Sequence, residues 1–525
     1  METKDSILKG TALLTGAGII VKLLGAAYRI PLSRLIGSEG IGLYQMAYPI
    51  YLIFLSLSTA GLPIAISKII AEQSAKGNRE GIGRTFKAAL ILLVVMGLGG
   101  ALIMFWAAPW FAGRVVADSR AVYAMRALAP AIFLMSLMAA YRGFFQGQQI
   151  MTPSAISQII EQFVRVAVAL ILVCMLLNSG IEYAAAGAAF GASAGGGAGL
   201  VFLMLRQWQQ RKKSIFIHPR EKTRESLLGI MKRLIRFALP ISVAVILMPL
   251  LQTIDSLIVP AKLQSIGYTV GQATSMLGIL GNAWAVMYLP MVVTSAISAN
   301  LVPAVAASNI KGAGHERVVK IETGLRLAFL YLVPVAIFLY IFGKTIYRII
   351  YNTPQIEILS WLAPAVFFLG LEQVSAGILQ GLGKPKIPLV NFVAGAILKI
   401  IVTLTITSLP GLNLAGAALG TVCGSGFTAI LNLTVVRKLT HVKFIGLPAA
   451  IFSGVCLLFG SSLAEHWLRL HYILEFLEIG FGGILLYMGI LRITGGINSQ
   501  DLEMVKKYLA KRSTRHGYGN ITRSG

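Results

Sequence analysis

Long apolar stretches separated by short polar segments run through almost all of the 525 residues. A helix that crosses a hydrocarbon core of about 30 Å needs about 20 mostly apolar residues, and roughly fourteen stretches reach that length. The predicted spans are 7–28, 42–69, 87–107, 122–144, 153–177, 183–204, 234–260, 273–304, 320–342, 357–378, 387–407, 413–435, 444–463 and 472–493. The pattern predicts an all-α polytopic membrane protein with about 14 transmembrane helices.

The chain contains an internal repeat with an offset of 234 residues. Residues 128–147 read LAPAIFLMSLMAAYRGFFQG, residues 362–381 read LAPAVFFLGLEQVSAGILQG, and nine positions are identical. A second pair, AGAAFGASAGGGAG at 186–199 and AGAALGTVCGSGFT at 415–428, keeps the same order. The fourth span therefore corresponds to the tenth and the sixth to the twelfth. We predict two six-helix lobes, related by an axis along the membrane normal, that face one another across a cleft.

The repeat and the charge pattern divide the chain into five predicted regions. They are an N-lobe at 1–205, a basic cytoplasmic linker at 206–233, a C-lobe at 234–440, an appendage of two helices at 441–495 and a basic cytoplasmic tail at 496–525. Glycines recur at every fourth position in the sixth and twelfth spans, a spacing that lets helix backbones approach closely in lipid. They are Gly187, Gly191, Gly195 and Gly199 in the first lobe and Gly416, Gly420 and Gly424 in the second.

Composition and charge agree with membrane insertion. Hydrophobic residues make up 56% of the chain and charged residues 13%, and the mean hydropathy is +0.77. The 46 Lys and Arg residues, against 20 Asp and Glu, concentrate in alternate loops. The positive-inside rule then places both termini on the cytoplasmic side of the membrane. Anionic membrane lipids explain this basic excess better than nucleic acid does. No catalytic constellation or cofactor motif is readable, which argues against an enzyme.

Few ionisable residues lie at membrane depth, where charge is costly and usually functional. Lys22 and Arg29 are seven residues apart on the first span, two helical turns, and so lie roughly on one face. A pair of cations facing a cavity suits a phosphate or pyrophosphate, because Arg offers a bidentate fork and Lys a compact charge. The alternative for Arg29 is that its side chain reaches the outer headgroups.

Asp255 is the acid of the seventh span, and its partner is not evident from the sequence. It either pairs with Lys22 or Arg29, belongs to a cation or proton site, or is a structural acid. Glu161 and Arg165 stand at i, i+4 and are predicted to form a structural charge pair. Lys399 occupies the place of Arg165 at the offset of 234 residues, but there Gly395 replaces the glutamate. Lys399 therefore lacks a local partner.

Residues 23–78, with GLPIAISK at 61–68, and AKLQSIGYTVGQATSMLGILG at 261–281 resemble a known transporter family. This is the polysaccharide-flippase branch of the multidrug/oligosaccharidyl-lipid/polysaccharide (MOP) exporter superfamily, and the resemblance covers about the first 440 residues. It implies two six-helix lobes around a V-shaped cavity with two extra helices. The implied activity is movement of the lipid-linked peptidoglycan precursor, lipid II, across the membrane.

The resemblance also implies roles for polar residues. Lipid II flippases of this superfamily use basic residues on the first helix, where this chain has Lys22 and Arg29. Where those relatives carry arginines on the eighth helix, this chain offers the neutral Asn282 and Asn300 as substrate-binding candidates.

A sodium site in the second lobe of some relatives has partial counterparts in this chain. They are Asp255, Asn391 and Thr421, while Gly395 stands where a second acid would be expected. We therefore expect coupling to Na⁺ or H⁺ and no other cofactor.

The sequence predicts a flippase that moves a polyprenyl-pyrophosphate-linked glycan, lipid II first among them, by alternating access. Its expected partners are the lipid-linked oligosaccharide, membrane lipids and cell-wall synthesis proteins. The alternatives are a multidrug cation antiporter of the same fold, a flippase for another cell-surface polysaccharide, and a non-transporting assembly partner. A membrane glycosyl polymerase is a further alternative, but it would be expected to carry a large outer loop with reactive Arg or His.

Overall fold

The computed structural model describes residues 2–59, 61–213, 226–310, 314–353, 357–409 and 411–443, with a few isolated positions nearer the C-terminus. Within these ranges the chain is helical and contains no strand. The α-helices are α1 Glu2–Thr59, α2 Leu62–Ala75, α3 Arg79–Trp110, α4 Ala121–Gly147, α5 Thr152–Leu176, α6 Ile181–Lys213, α7 Leu227–Ser265, α8 Val270–Ile310, α9 Gly314–Tyr351, α10 Ile358–Gly381, α11 Lys386–Ile406 and α12 Asn413–Thr440. The predicted spans 13 and 14 lie almost entirely outside the described residues.

The helices confirm the all-α polytopic class. Ten helical stretches among the described residues are long and apolar enough to cross a membrane. The first of them, Gly16–Ala75, contains the second predicted span and residues 16–28 of the first. α7 covers a further predicted span with 39 residues, which at 1.5 Å per residue is also long enough to cross.

The chain reverses direction at Gly37 inside α1. Gly37 has φ 64° and ψ −175°, a conformation that is not helical and that favours glycine. Arg29 lies eight residues before it and Gln45 eight residues after it, yet both reach the same residue. Arg29 Nη1 donates to the Gly281 carbonyl at 3.0 Å, and a Cβ on Gly281 would clash with Gln45. Two antiparallel segments therefore meet at a one-residue turn, where the sequence predicted a longer loop.

The glycine stripes form close helix contacts, as predicted. The position of a Cβ on Gly191 of α6 lies 2.6 Å from the backbone oxygen of Arg165 in α5. At the corresponding place in the second half of the sequence, the position of a Cβ on Gly420 of α12 lies 3.1 Å from the backbone oxygen of Lys399 in α11. Arg165 and Lys399 thus hold equivalent places in α5 and α11, which agrees with the repeat.

The described helices form two compact units. The first comprises Met1–Leu289, Ile350–Asn352 and Ala396–Gly420, and the second comprises Pro290–Ile349, Thr353–Gly395 and Thr421–Gly525. The first unit has a core in which α2, α3, α4, α6 and α7 contribute buried apolar side chains, among them Ile70, Leu93, Phe145, Leu203 and Ile230. The predicted lobe boundaries stay a prediction.

Candidate functional site

Polar side chains of α1 meet one turn of α8 in the first unit. Arg29 is half-buried, and its Nη1 donates to the Gly281 carbonyl at 3.0 Å. Asn282 is 1% exposed, and its Nδ2 donates to Ser33 Oγ at 2.7 Å. The Tyr351 hydroxyl donates to the Asn282 carbonyl at 3.0 Å. The structure therefore brings two predicted substrate-binding residues, Arg29 and Asn282, to adjacent positions. We call these five residues the α1–α8 site.

The other two substrate-binding candidates lie apart from these contacts. Lys22 is on the same helix segment as Arg29, and its side chain is exposed. Within the described part of the chain it has no hydrogen bond or acidic partner. Asn300 belongs to the second unit, and its amide donates to the Ala296 carbonyl of its own helix at 2.9 Å. Its predicted role stays a prediction.

Tyrosines line the second segment of α1. The rings of Tyr44 and Tyr48 stack with centroids 5.3 Å apart, and those of Tyr48 and Tyr51 lie 5.6 Å apart. Tyr44 also shares a hydrogen bond with Tyr28 of the first segment. The sequence analysis missed this cluster, although the spacing i, i+4, i+7 places all three on one helix face. Tyr44 and Tyr51 are buried, at 7% and 2% exposed, so the cluster packs mostly inside the first unit.

Asp255 pairs with Lys399, a partner that the sequence analysis did not assign. Lys399 Nζ of α11 lies 2.8 Å from Asp255 Oδ2 of α7, with the two side chains 14% and 10% exposed. The ammonium lies 5.6 Å from the centre of the Trp284 ring. The structure thus gives Asp255 neither Lys22 nor Arg29 as its ion-pair partner. The two residues are 144 positions apart, so no local spacing could have indicated the pair.

The remaining ion-coupling candidates lie in the second unit. Asn391 Nδ2 donates to Asn432 Oδ1 at 2.8 Å, and the Thr421 side chain is buried. Asp255 lies in the first unit. Asn391 and Thr421 keep their status as predicted counterparts of a sodium site.

Glu161 binds two arginines. Its Oε1 lies 2.8 Å from Arg165 Nη2, and its Oε2 lies 3.0 Å from Arg142 Nη2 of α4. Arg142 Nε also donates to Ser157 Oγ at 3.0 Å. The i, i+4 spacing predicted the first contact, whereas the second joins different helices and was missed. The group carries one net positive charge within the first unit.

An ionic cluster joins α1, the α3–α4 connection and α8 near Gly37. Arg120 lies 2.7 Å from Glu39 and 2.9 Å from Asp118, and Thr274 Oγ1 donates to Asp118 Oδ2 at 2.7 Å. Hydrogen bonding to Asp118 raises the pKa of Arg120, so this residue stays charged. We call these four residues the Asp118 cluster. It cross-links segments from both halves of the sequence.

The backbones of α1 and α8 touch beside the Asp118 cluster. Ser38 Oγ and Ser275 Oγ are 2.5 Å apart. A Cβ on Gly278 would clash with the Ser38 carbonyl, and one on Gly42 would clash with the Thr274 carbonyl. Only glycine allows this approach. The contact therefore joins a helix from the first half of the sequence to one from the second half.

Comparison with known families and proteins agrees with this architecture. A family model described as "Polysaccharide biosynthesis protein" matches residues 7–306, and the MatE model matches residues 240–405. Stage V sporulation protein B of Bacillus subtilis (strain 168) is 30% identical over 449 residues, which is 84% of this chain and 85% of that protein. Lipid II flippase MurJ of the same organism is 29% identical over 457 residues, 83% of each chain.

Solved structures share the fold. Lipid II flippase MurJ in an inward closed conformation superposes with a TM-score of 0.71 at 14% identity, covering 92% of this chain and 98% of that one. An inward-facing multidrug resistance MATE family transporter of the MOP superfamily gives a TM-score of 0.65 at 17% identity, covering 80% and 94%.

Proposed function

Because the chain belongs to the polysaccharide biosynthesis protein family of the MOP superfamily, we propose that it moves lipid II from the inner to the outer leaflet by alternating access. The family membership itself makes the chain a multi-pass membrane transporter of the flippase type rather than an enzyme, as predicted. The choice of lipid II among lipid-linked glycans is the proposal.

The position of Arg29 carries this proposal. Its guanidinium is bonded to a neutral backbone carbonyl, that of Gly281, so its positive charge is not neutralised by that contact. Lys22 adds a second cation on the same helix segment. By contrast, the acids Glu161 and Asp255 are each bound to basic side chains. Among the described side chains of α1, Lys22 and Arg29 are cations without an acidic partner, which suits an anionic pyrophosphate.

We propose that the pyrophosphate displaces the Gly281 carbonyl from Arg29 and takes the same guanidinium donors. A guanidinium binds an anionic oxygen, often through two parallel hydrogen bonds, more strongly than a single neutral carbonyl, which favours the exchange. Asn282 is a candidate for contact with the glycan, while the polyprenyl tail stays in lipid. Binding at Arg29 would loosen one of the α1–α8 contacts and so assist opening at the Gly37 turn.

With both termini in the cytoplasm, as the basic loops predict, the membrane potential favours this direction of transport. Moving one unit charge through the full potential is worth about 2.3 kcal/mol per 100 mV. A dianionic headgroup is therefore driven outward across an inside-negative membrane. The empty carrier returns without that load.

A multidrug cation antiporter is the second candidate, because the MatE model matches residues 240–405. A carrier of organic cations requires an acid that is open to its substrate. Within the described part of the spans, Glu161 is bound by two arginines and Asp255 by Lys399. Glu322 of α9 and the half-buried Glu372 of α10 have no ion pair among the described residues, so the acids alone do not decide between the two candidates. We favour the anionic lipid because α1 carries the basic residues Lys22 and Arg29.

Complementation in a bacterium depleted of its own lipid II flippase tests the proposal. Expression of this chain should restore growth and cell shape, because export of the precursor would resume. The same cells should show unchanged resistance to cationic drugs. Failure to restore growth by a chain that is present in the membrane, together with raised drug resistance, would favour the antiporter instead.

A further inference from the structure

Three charged side chains in the first unit form a group that has no role in the transport steps above. Glu161 Oε1 lies 2.8 Å from Arg165 Nη2, and Glu161 Oε2 lies 3.0 Å from Arg142 Nη2. One carboxylate thus faces two guanidiniums. Among the described residues no second acid joins them, so the three side chains keep one net positive charge. We call them the Glu161 group.

The two arginines differ in how fully their donors are used. Arg142 Nη2 binds Glu161, and Arg142 Nε donates to Ser157 Oγ at 3.0 Å. Arg165 Nε is buried and has no hydrogen-bond partner among the described residues. The side chain of Arg165 is 16% exposed, so part of its surface remains accessible. The Glu161 group therefore has both a spare positive charge and an unused donor on Arg165.

The repeat shows that this spare charge belongs to the first half of the sequence. Lys399 holds the place of Arg165 in the second half, and it lies 2.8 Å from Asp255. That pair consists of one base and one acid and is neutral. A charge at membrane depth is costly and usually functional. The positive charge that only the first half leaves uncompensated is therefore a candidate for a ligand.

The Glu161 group lies close to the proposed pyrophosphate site. Tyr28 of α1 interacts electrostatically with both Arg29 and Arg165, and it shares a hydrogen bond with Tyr44. Arg165 also interacts electrostatically with Tyr48 of the second segment of α1. The two arginines thus lie in the neighbourhood of the same tyrosine. A headgroup of several sugar and peptide units bound at Arg29 is large enough to reach Arg165.

We infer that Arg165 binds a carboxylate of the substrate headgroup, as a second anion site beside the pyrophosphate site. This inference rests on the proposed function, since the peptide of lipid II carries free carboxylates in addition to the pyrophosphate. A guanidinium binds a carboxylate through charge-assisted and often bidentate hydrogen bonds. The added anion also compensates the spare charge of the Glu161 group. The site therefore selects acidic headgroups over neutral ones.

Binding of two forms of lipid II to the purified full chain in detergent tests this inference. One form carries free peptide carboxylates, and in the other form these are converted to amides. The native chain should bind the free form about 10-fold more tightly, because the amide cannot replace a hydrogen bond between charged groups. In Arg165→Gln the two affinities should be about equal. Glu161 keeps Arg142 at 3.0 Å in this variant, so the acid stays paired.

Three control variants separate this role from general electrostatics. Arg34→Gln removes an exposed positive charge from α1 and should keep the native ratio of the two affinities. Arg29→Gln should weaken the binding of both forms alike, because both carry the pyrophosphate. Arg165→Lys keeps the charge without the planar fork and should retain part of the ratio. A merely structural role of Arg165 would not change this ratio.

Two results would overturn the inference. One is a native chain that binds both forms equally, which is also the result expected if a small free anion occupies the site. The other is a folded Arg165→Gln protein that keeps the native ratio. If Arg165→Gln does not fold, Glu161→Gln replaces it. That variant leaves both arginines without their acid and should raise the ratio, and an unchanged ratio would refute the inference.

The binding ratio and the flipping assay fail independently. A chain that prefers the free form in detergent but does not flip lipid II in liposomes would refute the proposed function alone. A chain that flips lipid II but binds both forms with equal affinity would refute the carboxylate site alone.

Discussion

Replacing Arg29 with glutamine should slow the transport of a pyrophosphate-linked lipid by about 10- to 100-fold. A hydrogen bond to a charged group contributes about 1.5–3 kcal/mol, and each 1.4 kcal/mol corresponds to a factor of ten. Glutamine is two bonds shorter than the arginine Nη1 that contacts the Gly281 carbonyl, so this variant removes the contact together with the charge. The measurement is the initial flipping rate in liposomes, normalised to folded protein.

Arg34 provides a matched control on the same helix segment. Its Nε also donates to a backbone carbonyl, that of Ile350 at 2.8 Å, but the contact is exposed. Arg34→Gln also removes one positive charge from the chain. It should leave the flipping rate within about twofold of the native rate, since an exposed charge is screened by solvent and salt. Arg29→Lys should retain part of the rate, because lysine keeps the charge without the planar fork. An equal loss in Arg29→Gln and Arg34→Gln would refute the role of Arg29.

A disulfide that joins α1 to α8 beside Gly37 should stop transport. Ser38 Oγ and Ser275 Oγ lie 2.5 Å apart, which places the side chains within reach of a disulfide. The variant carries Ser38→Cys and Ser275→Cys in a background where the three native cysteines are replaced by alanine, namely Cys174, Cys423 and Cys456. The proposed alternating access separates the predicted lobes, to which α1 and α8 respectively belong, and a covalent bond between them would prevent it.

Oxidation should therefore reduce the flipping rate of the double-cysteine protein to the background of protein-free liposomes, and reduction should restore it. The flipping rate of each single-cysteine protein should not change on oxidation or reduction. The disulfide yield is measured by the shift in electrophoretic mobility after cleavage between the two positions. If the fully cross-linked protein flips lipid as fast as the same protein after chemical reduction, this contact stays closed during transport.

The helices could be predicted because the length of each apolar stretch is enough to identify a membrane-spanning helix. Lipid cannot satisfy backbone hydrogen bonds, so each apolar stretch of sufficient length must be helical. The form of the turn between the first two spans was not predicted. The predicted spans leave positions 29–41 between them, and the structure continues the helix to a single glycine, Gly37, whose φ of 64° supplies the reversal. A conformation of one residue leaves no periodic signal.

The candidate site was predictable only where partners are close in sequence. Glu161 and Arg165 are four residues apart, and the helix repeat places them together. Asp255 and Lys399 are brought together only by the packing of α7 against α11. The repeat did carry one relevant signal, since Gly395 stands where an acid would have paired locally with Lys399. It showed that a partner was missing and could not identify it.

Flipping of fluorescent lipid II by the purified chain in liposomes tests the central claim most directly. The labelled headgroup starts on both leaflets, and a membrane-impermeant quencher added outside reaches only the outer one. Quenching should proceed from about half of the signal to nearly all of it with the native chain, and much more slowly with Arg29→Gln. Quenching that stops at half with a folded native chain, as in protein-free liposomes, would contradict the proposal that this transporter moves lipid II.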